Sequence, residues 1–276
     1  MEPQVLLDGL AYVESPRWHD GRLWFAHWGT GEIVAVDMDG RREVVGSGPP
    51  GLGWSIDWLP DGRLLVTGEG LTRLEPDGST VPHADLASLS GDWNEIVVAG
   101  DGNVYVNGGC EFEPGEGDPP GVVALVRPDG SARQVAGAIA FPNGMAVTPD
   151  GSTLILAESF ARRLTAFDIT PDGGLANRRV WAELDGYPDG ICLDADGAVW
   201  CAAMERCLRV AEGGEVLDVV ELDRSPFACM LGGPDERTLF ILAAEWRGVD
   251  EVDVALAART GQVLTMEAPA PHAGRP

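Results

Sequence analysis

Hydrophobic residues recur in short runs of strand length along the whole chain, and Asp-Gly dipeptides separate one run from the next. Typical runs are Arg22-Leu23-Trp24-Phe25-Ala26, Thr153-Leu154-Ile155-Leu156-Ala157 and Val199-Trp200-Cys201-Ala202-Ala203. The separators include Asp20-Gly21, Asp39-Gly40, Asp61-Gly62, Asp77-Gly78, Asp101-Gly102, Asp150-Gly151 and Asp196-Gly197. Asp-Gly favours hairpins because both positions tolerate a positive φ. No long helical period interrupts this pattern, which is that of an all-β protein.

The pattern also repeats with a period of about 40 residues, the length of a four-stranded propeller blade. Blade one is expected at 15–19, 22–28, 32–38 and 42–46, and blade two at 54–59, 63–68, 71–75 and 80–84. Blade three follows at 94–99, 103–107, 122–126 and 131–135, and blade four at 144–148, 153–157, 163–169 and 178–184. Blade five occupies 190–193, 199–203, 207–210 and 216–222, and blade six 227–231, 238–243 and 261–267. Blade six lacks a fourth strand, and the N-terminal segment 5–10 can supply it, which removes an exposed edge. The expectation is one six-bladed β-propeller domain over residues 1–276, with four-stranded antiparallel blades. Insertions fall only between second and third strands, at 108–121 and 247–260, and are candidates for a pocket rim.

One short sentence of residues recurs at the start of successive blades. It reads Phe141-Pro142-Asn143-Gly144-Met145-Ala146 in blade four, Tyr187-Pro188-Asp189-Gly190 in blade five, Trp93-Asn94-Glu95 in blade three and Glu14-Ser15-Pro16-Arg17-Trp18 in blade one. First strands of a propeller run in one direction, so the positions before them gather at one mouth of the channel: Glu14, Ser55, Asn94, Asn143, Asp189 and Phe227. Second strands return there with His27, Glu69, Gly108, Glu158, Met204 and Glu245. Glu14, Asn143 and Asp189 offer two carboxylates and a carboxamide oxygen, a hard donor set suited to Ca²⁺, Mg²⁺ or Mn²⁺ and tolerant of Zn²⁺. Asn-Gly and Asp-Gly are also common turn dipeptides; their recurrence at equivalent blade positions is what favours a shared site.

The chain carries 44 acidic and 19 basic residues in 276, a formal net charge of -25. That balance argues against nucleic acid and against an anionic membrane surface. No basic segment leading into an apolar core opens the sequence, and no apolar run approaches the roughly 20 residues of a membrane span. Five cysteines, Cys110, Cys192, Cys201, Cys207 and Cys229, lack CxxC spacing and mostly sit in apolar runs. Buried free thiols in a reducing compartment are expected, hence a cytoplasmic protein.

The blade-start stretches, with Arg22-Leu23-Trp24-Phe25 and Pro149-Asp150-Gly151, resemble the regucalcin / gluconolactonase / luciferin-regenerating-enzyme family over essentially the whole chain. The resemblance implies a six-bladed propeller with one divalent cation in its channel. Glu14, Asn143 and Asp189 match the family's metal-ligand positions, and Asn94 a position that contacts substrate close to the metal. It implies hydrolysis of sugar lactones, some members opening other lactones or esters. Three positions depart from the family's common pattern: Asp92 stands where Arg is frequent, Glu95 where Asp is common, and His27 where an acidic residue is usual.

The expected activity is therefore metal-dependent opening of a lactone or related cyclic ester, on a substrate other than plain gluconolactone. Calcium is the first choice of cation. Asp189 is the candidate general base, with Asn94, Asp92, Trp93, His27 and Trp246 around the substrate. His27 is a proton-shuttle candidate by its ordinary pKa. Trp28 and Trp54 could join the apolar wall. No Gly-x-Ser-x-Gly elbow surrounds Ser15, Ser55 or Ser225, which disfavours a serine hydrolase. The partner is a small molecule, and the chain is expected to act as a monomer or weak homo-oligomer. Two alternatives are a metal-containing ligand-binding propeller without turnover and a protein-interaction propeller without metal.

Overall fold

The computed structural model describes residues 2–109 and 120–276. Most of the 108–121 insertion, with Cys110, therefore lies outside the described residues. The chain divides into two compact units: Met1–Leu52 with Asp189–Ala273, and Gly53–Pro188 with Gly274–Pro276. Six four-stranded sheets account for the architecture. These are the blades of a six-bladed β-propeller, as the repeat predicts.

The chain starts with β1 (Gln4–Leu10) and enters blade one as β2 (Val13–His19), β3 (Arg22–His27), β4 (Glu32–Val36) and β5 (Arg42–Ser47). Blade two is β6 (Ile56–Trp58), β7 (Leu64–Val66), β8 (Leu71–Leu74) and β9 (Thr80–Ala84). Blade three is β10 (Trp93–Val98), β11 (Val104–Gly108), β12 (Gly121–Val126) and β13 (Ala132–Ile139). Blade four is β14 (Pro142–Val147), β15 (Thr153–Glu158), β16 (Arg163–Ile169) and β17 (Leu175–Glu183). Blade five is β18 (Pro188–Leu193), β19 (Val199–Ala203), β20 (Arg206–Val210) and β21 (Val216–Glu221). Blade six comprises β22 (Ser225–Gly232), β23 (Thr238–Ala244) and β24 (Gly261–Glu267). Its outer strand is β1, which pairs antiparallel with β24, so the N-terminus completes the last sheet as expected.

Two details differ from the expected elements. The 247–260 insertion contains a short helix, α1 (Val252–Ala258), ended by Arg259 in a left-handed conformation. Its seven residues are mostly Ala, Val and Leu, and too few to display a helical period. It packs Ala255 and Leu256 against Tyr12, Trp28, Phe227 and Ala244. Blade two has the shortest inner strands. There the Thr67 N–H donates to Ser55 O at 3.0 Å and its hydroxyl accepts the Ser55 N–H at 2.7 Å, so a side chain joins the backbone pairing beyond the strand ends.

The Asp-Gly turns also work differently from the expectation. Only in Asp20-Gly21 are both residues left-handed, with φ of 49° and 72°. In the other pairs named above the glycine alone has positive φ. The aspartate instead caps the hairpin: Asp61, Asp77, Asp101, Asp129 and Asp150 each accept the N–H two residues on. A share of the acidic excess is thus structural turn chemistry.

Each unit has its own apolar interior. Leu10, Leu23, Phe25, Trp200, Phe240 and Leu242 fill the first. In the second, Leu65, Trp93, Ile96 and Val106 lie in one cluster, and Tyr105, Met145, Leu154 and Phe167 in another. Cys192, Cys201, Cys207 and Cys229 are free and buried, as expected of thiols kept reduced. Among the described residues no helix is long and apolar enough to cross a membrane.

Candidate functional site

The first strands of blades one, three and four begin with a break in register. Between Glu14↔Ala26 and Arg17↔Trp24, the first strand of blade one advances three residues while its partner retreats two. The same extra residue occurs between Trp93↔Gly108 and Ile96↔Val106 in blade three. It occurs again between Pro142↔Glu158 and Met145↔Leu156 in blade four. Asn94 and Asn143 thus sit within β-bulges, and Glu14 at the edge of one. A bulge re-aims side chains and frees them from strict alternation. Ser15 and Phe141 beside these sites have left-handed φ of 53° and 60°, a costly conformation for such side chains that clusters at functional positions.

Within the unit of Met1–Leu52 and Asp189–Ala273, Glu14 is 2% exposed. Its Oε2 accepts the N–H of Ser15, which fixes one end of the carboxylate. Asp189 is half-buried in β18. Gly190 after it is required by packing and not by a turn: a Cβ there would lie 2.6 Å from Ala228 Cβ and 2.7 Å from Ala228 Cα. His27 is buried, and its Nε2 accepts the Ala11 N–H at 2.9 Å. The proton is then on Nδ1, which faces Glu32 Oε2 at 3.5 Å. Burial lowers its pKa, against the opposing pull of Glu32. Both ring nitrogens of this shuttle candidate therefore face protein groups. Trp246 is 37% exposed and packs beside Tyr12 and Phe227, with ring centroids 5.9 and 6.0 Å away. The Tyr12 hydroxyl donates to Glu245 O at 3.1 Å, and burial raises its pKa to about 12.

Within Gly53–Pro188, Asn143 is 8% exposed. Its main-chain carbonyl accepts from Asn107 Nδ2 at 2.6 Å, and its Nδ2 donates to Ser159 Oγ at 3.4 Å. Asn94 holds its carbonyl against Thr67 Oγ1 at 2.6 Å, while its Oδ1 is buried without a hydrogen-bond partner. A buried acceptor left unmade is costly and marks a place where a ligand would supply the missing contact. Glu95 accepts the Ser55 hydroxyl at 2.8 Å. Asp92 is exposed and holds Gly109 N through its carbonyl. Trp93, expected on the substrate wall, puts its ring into the core cluster at 1% exposure.

Glu158, at the end of β15, is fully buried yet charged. It meets Arg163 at 3.0 Å and Arg178 at 2.9 Å, and accepts from Ala140 N at 3.0 Å and from the Thr165 hydroxyl. Burial pushes its pKa up, but these donors outweigh it and hold the carboxyl below its ordinary value. It anchors the segment that leads into Asn143 and is fully occupied in doing so.

Among the described residues, no group of three or more His, Cys, Asp or Glu side chains is arranged to hold a metal. The expected trio contains only two such residues, its third member being the Asn143 carboxamide. Residues 12–245 match the family model described as the SMP-30/Gluconolactonase/LRE-like region. The chain belongs to this family.

SMP-30/Gluconolactonase/LRE-like proteins of known name and structure extend the likeness. A 6-deoxy-6-sulfogluconolactonase of Pseudomonas putida is 32% identical over 129 residues, 44% of each chain. The matched chain thus spans under half the length of that relative. A solved luciferin-regenerating enzyme superposes with a TM-score of 0.83 at 19% identity, covering 99% of this chain and 98% of its own. A calcium-binding regucalcin of Agrobacterium tumefaciens superposes with a TM-score of 0.80 at 21% identity, covering 99% and 95%. At these identities the structural likeness speaks for the fold.

Thr67, Asn107 and Ser159 are polar residues that the sequence did not single out. Each sits at the end of a second strand and is buried. Their position beside Glu69, Gly108 and Glu158 in the expected second-strand set was the available signal.

Proposed function

We propose that this chain is a divalent-metal-dependent hydrolase that opens a lactone or related cyclic ester. The observation that carries the reading is the recurrent bulge at the first-strand starts, which sets Asn94 and Asn143 apart from the ladder and leaves Asn94 Oδ1 buried and unpartnered. Family membership and a relative named as a sulfogluconolactonase support the reaction class. A solved family structure named as a calcium-binding protein supports Ca²⁺ as the first choice of cation, with Zn²⁺, Mn²⁺ and Mg²⁺ as alternatives.

Glu14, Asn143 and Asp189 would hold the cation through oxygen, a donor set that fits a hard ion and leaves coordination positions open. Bound there, a divalent cation supplies polarisation of a carbonyl and a more acidic water. Asp189 takes the proton of the attacking water. The water oxygen adds to the carbonyl carbon, the acyl–oxygen bond breaks, and the proton passes to the departing ring oxygen. The product is the open hydroxy acid. Asn94 Oδ1 accepts from a substrate hydroxyl, satisfying its own buried lone pairs. Asp92 in place of a cation turns that wall away from anionic sugars, and Trp246 offers an apolar contact. Four buried free thiols fit a reducing compartment, and we read the protein as cytoplasmic, a single propeller domain and a monomer or weak homo-oligomer.

The test is the double variant Asn143→Ala with Asp189→Ala, assayed on a panel of lactones and aryl esters with Ca²⁺, Mn²⁺ or Zn²⁺. The expected outcome is loss of metal-dependent ring opening with an unchanged far-ultraviolet circular dichroism spectrum. Full activity in that variant, or in metal-stripped wild type, would overturn the proposal.

A further inference from the structure

Within Gly53–Pro188, one contact recurs three times, each time from one blade to the start of the next. A side chain at the end of each second strand donates to a main-chain carbonyl at the start of the next blade's first strand. Thr67 Oγ1 donates to Asn94 O, Asn107 Nδ2 to Asn143 O, and Ser159 Oγ to Pro188 O, each at 2.6 Å. The recipients are Asn94, Asn143 and the residue before Asp189. The donors differ in chemistry, so the repeated geometry is a property of the position.

Ser159 does more than the other two. It is 6% exposed, and its one proton is committed to Pro188, whose carbonyl can only accept. Its oxygen is then left as an acceptor. The group of Asn143 that faces it must be the amino end, and Nδ2 stands there at 3.4 Å. The two ends of a carboxamide are close in shape, and only the hydrogen bonds around it decide which way it points. With Nδ2 directed at Ser159, Oδ1 is turned to the other side. The reverse orientation would set two acceptors against each other at Ser159 and present an N–H₂ group where a cation needs an oxygen.

We propose that Ser159 is a positioning residue of the site: its hydroxyl selects the Asn143 carboxamide orientation that presents Oδ1 as a ligand, and pins the Pro188 carbonyl beside Asp189. This role rests on the reading of Asn143 as a metal ligand. Outer contacts of this kind orient ligands, and their loss costs about 10- to 100-fold in metal affinity.

The experiment is calorimetric Ca²⁺ titration of metal-stripped full-length protein, followed by kcat and KM on the best lactone. Ser159→Ala should weaken Ca²⁺ binding by about tenfold or more, while Ser159→Thr, which keeps the hydroxyl, restores it. Asn143→Asp is the decisive partner, because a carboxylate offers oxygen in either orientation. In that background Ser159→Ala should change affinity by no more than about twofold, a non-additivity expected only of coupled residues. If the alanine variant does not fold, Ser159→Cys keeps the size, weakens both hydrogen bonds and takes its place in the cycle. Equal affinity of wild type and Ser159→Ala overturns the role of Ser159 and leaves the metal reading standing. An undiminished loss in the Asn143→Asp background also overturns it, since the hydroxyl would then act through the fold alone. A wild type that takes up no divalent cation overturns the metal reading, and the role of Ser159 falls with it.

Discussion

Asn143-Gly144 and Asp150-Gly151 are dipeptides of one kind placed near opposite ends of β14, and they do opposite work. At the turn, Asp150 Oδ1 accepts the Ser152 N–H at 3.0 Å and the Thr148 hydroxyl at 2.6 Å. Gly151, at φ 70°, closes the turn with its N–H on Thr148 O. All of these partners lie within the same hairpin. At the bulge, Asn143 is held by Asn107 from blade three and by Ser159 from β15's end. A turn residue satisfies itself locally and stabilises its own hairpin. A bulge residue depends on side chains far away in sequence, and that dependence fixes its orientation without using up its oxygen. Asp189-Gly190 likewise lies inside a strand and not at a turn.

The largest effect expected from this contrast is steric. Gly190→Ala would drive a methyl into Ala228, with backbone as well as side chain in the way. The expected loss is about 3 kcal/mol, the upper range for overpacking an unyielding site. Gly151→Ala meets no atom within 4 Å and suffers only from its φ of 70°, at a cost of about 1 kcal/mol. Urea unfolding of both variants checks the order. If Gly151→Ala proves the more damaging, the two glycines have been assigned to the wrong tasks.

The period of short strands and the Asp-Gly punctuation were enough to place all six blades in the sequence, because strand alternation and turn chemistry are local. The completion of the last sheet by β1 was legible too, since segment 261–267 lacked a following partner. The bulges were not, because register is a property of two strands and neither carries it alone. Trp93 shows the consequence: its place beside Asn94 suggested a site wall, yet at a bulge two neighbours need not share a destination, and its ring packs with Leu65 and Ile96. Thr67, Asn107 and Ser159 act across blades, between residues 27, 36 and 29 positions apart. No window of sequence contains such a pair. Helix α1 was missed for a simpler reason, its brevity.

A smaller effect tests whether the strand ends are held electrostatically. Glu158 has no exposed surface and gathers Arg163, Arg178, Thr165 and the Ala140 N–H. Glu158→Gln keeps the shape but removes the charge and sets an N–H₂ group against some of these donors. Its two arginines are each near 30% exposed, and solvent softens their loss. The expected cost is about 2 kcal/mol, read as a lower urea midpoint at neutral pH with an unchanged slope. A change below about 0.5 kcal/mol would mean that solvent already screens the network.

The smallest effect belongs to the turns, and it appears only in acid. Ser or Thr hydroxyls lower the pKa of Asp77, Asp129, Asp150 and Asp172, with backbone N–H groups adding to the shift. Glu158 is lowered as well, for the reasons given above. A carboxylate with a depressed folded pKa binds fewer protons folded than unfolded, so its contribution is present above the unfolded value, near 4, and is lost as pH falls through the folded one. Stability should therefore decline progressively from about pH 5 downward. Asp150→Asn removes one of these linked groups. It should make that decline slightly shallower while leaving the proposed lactone opening at neutral pH unchanged, because the turn carboxylate serves only its own hairpin. Glu158→Gln should flatten the same curve more, since the Ala140 N–H, the Thr165 hydroxyl and Arg178 together hold its buried carboxylate charged. Stability measured against pH for wild type and both variants separates the two kinds of acid, and an equal change in slope would erase the distinction between them.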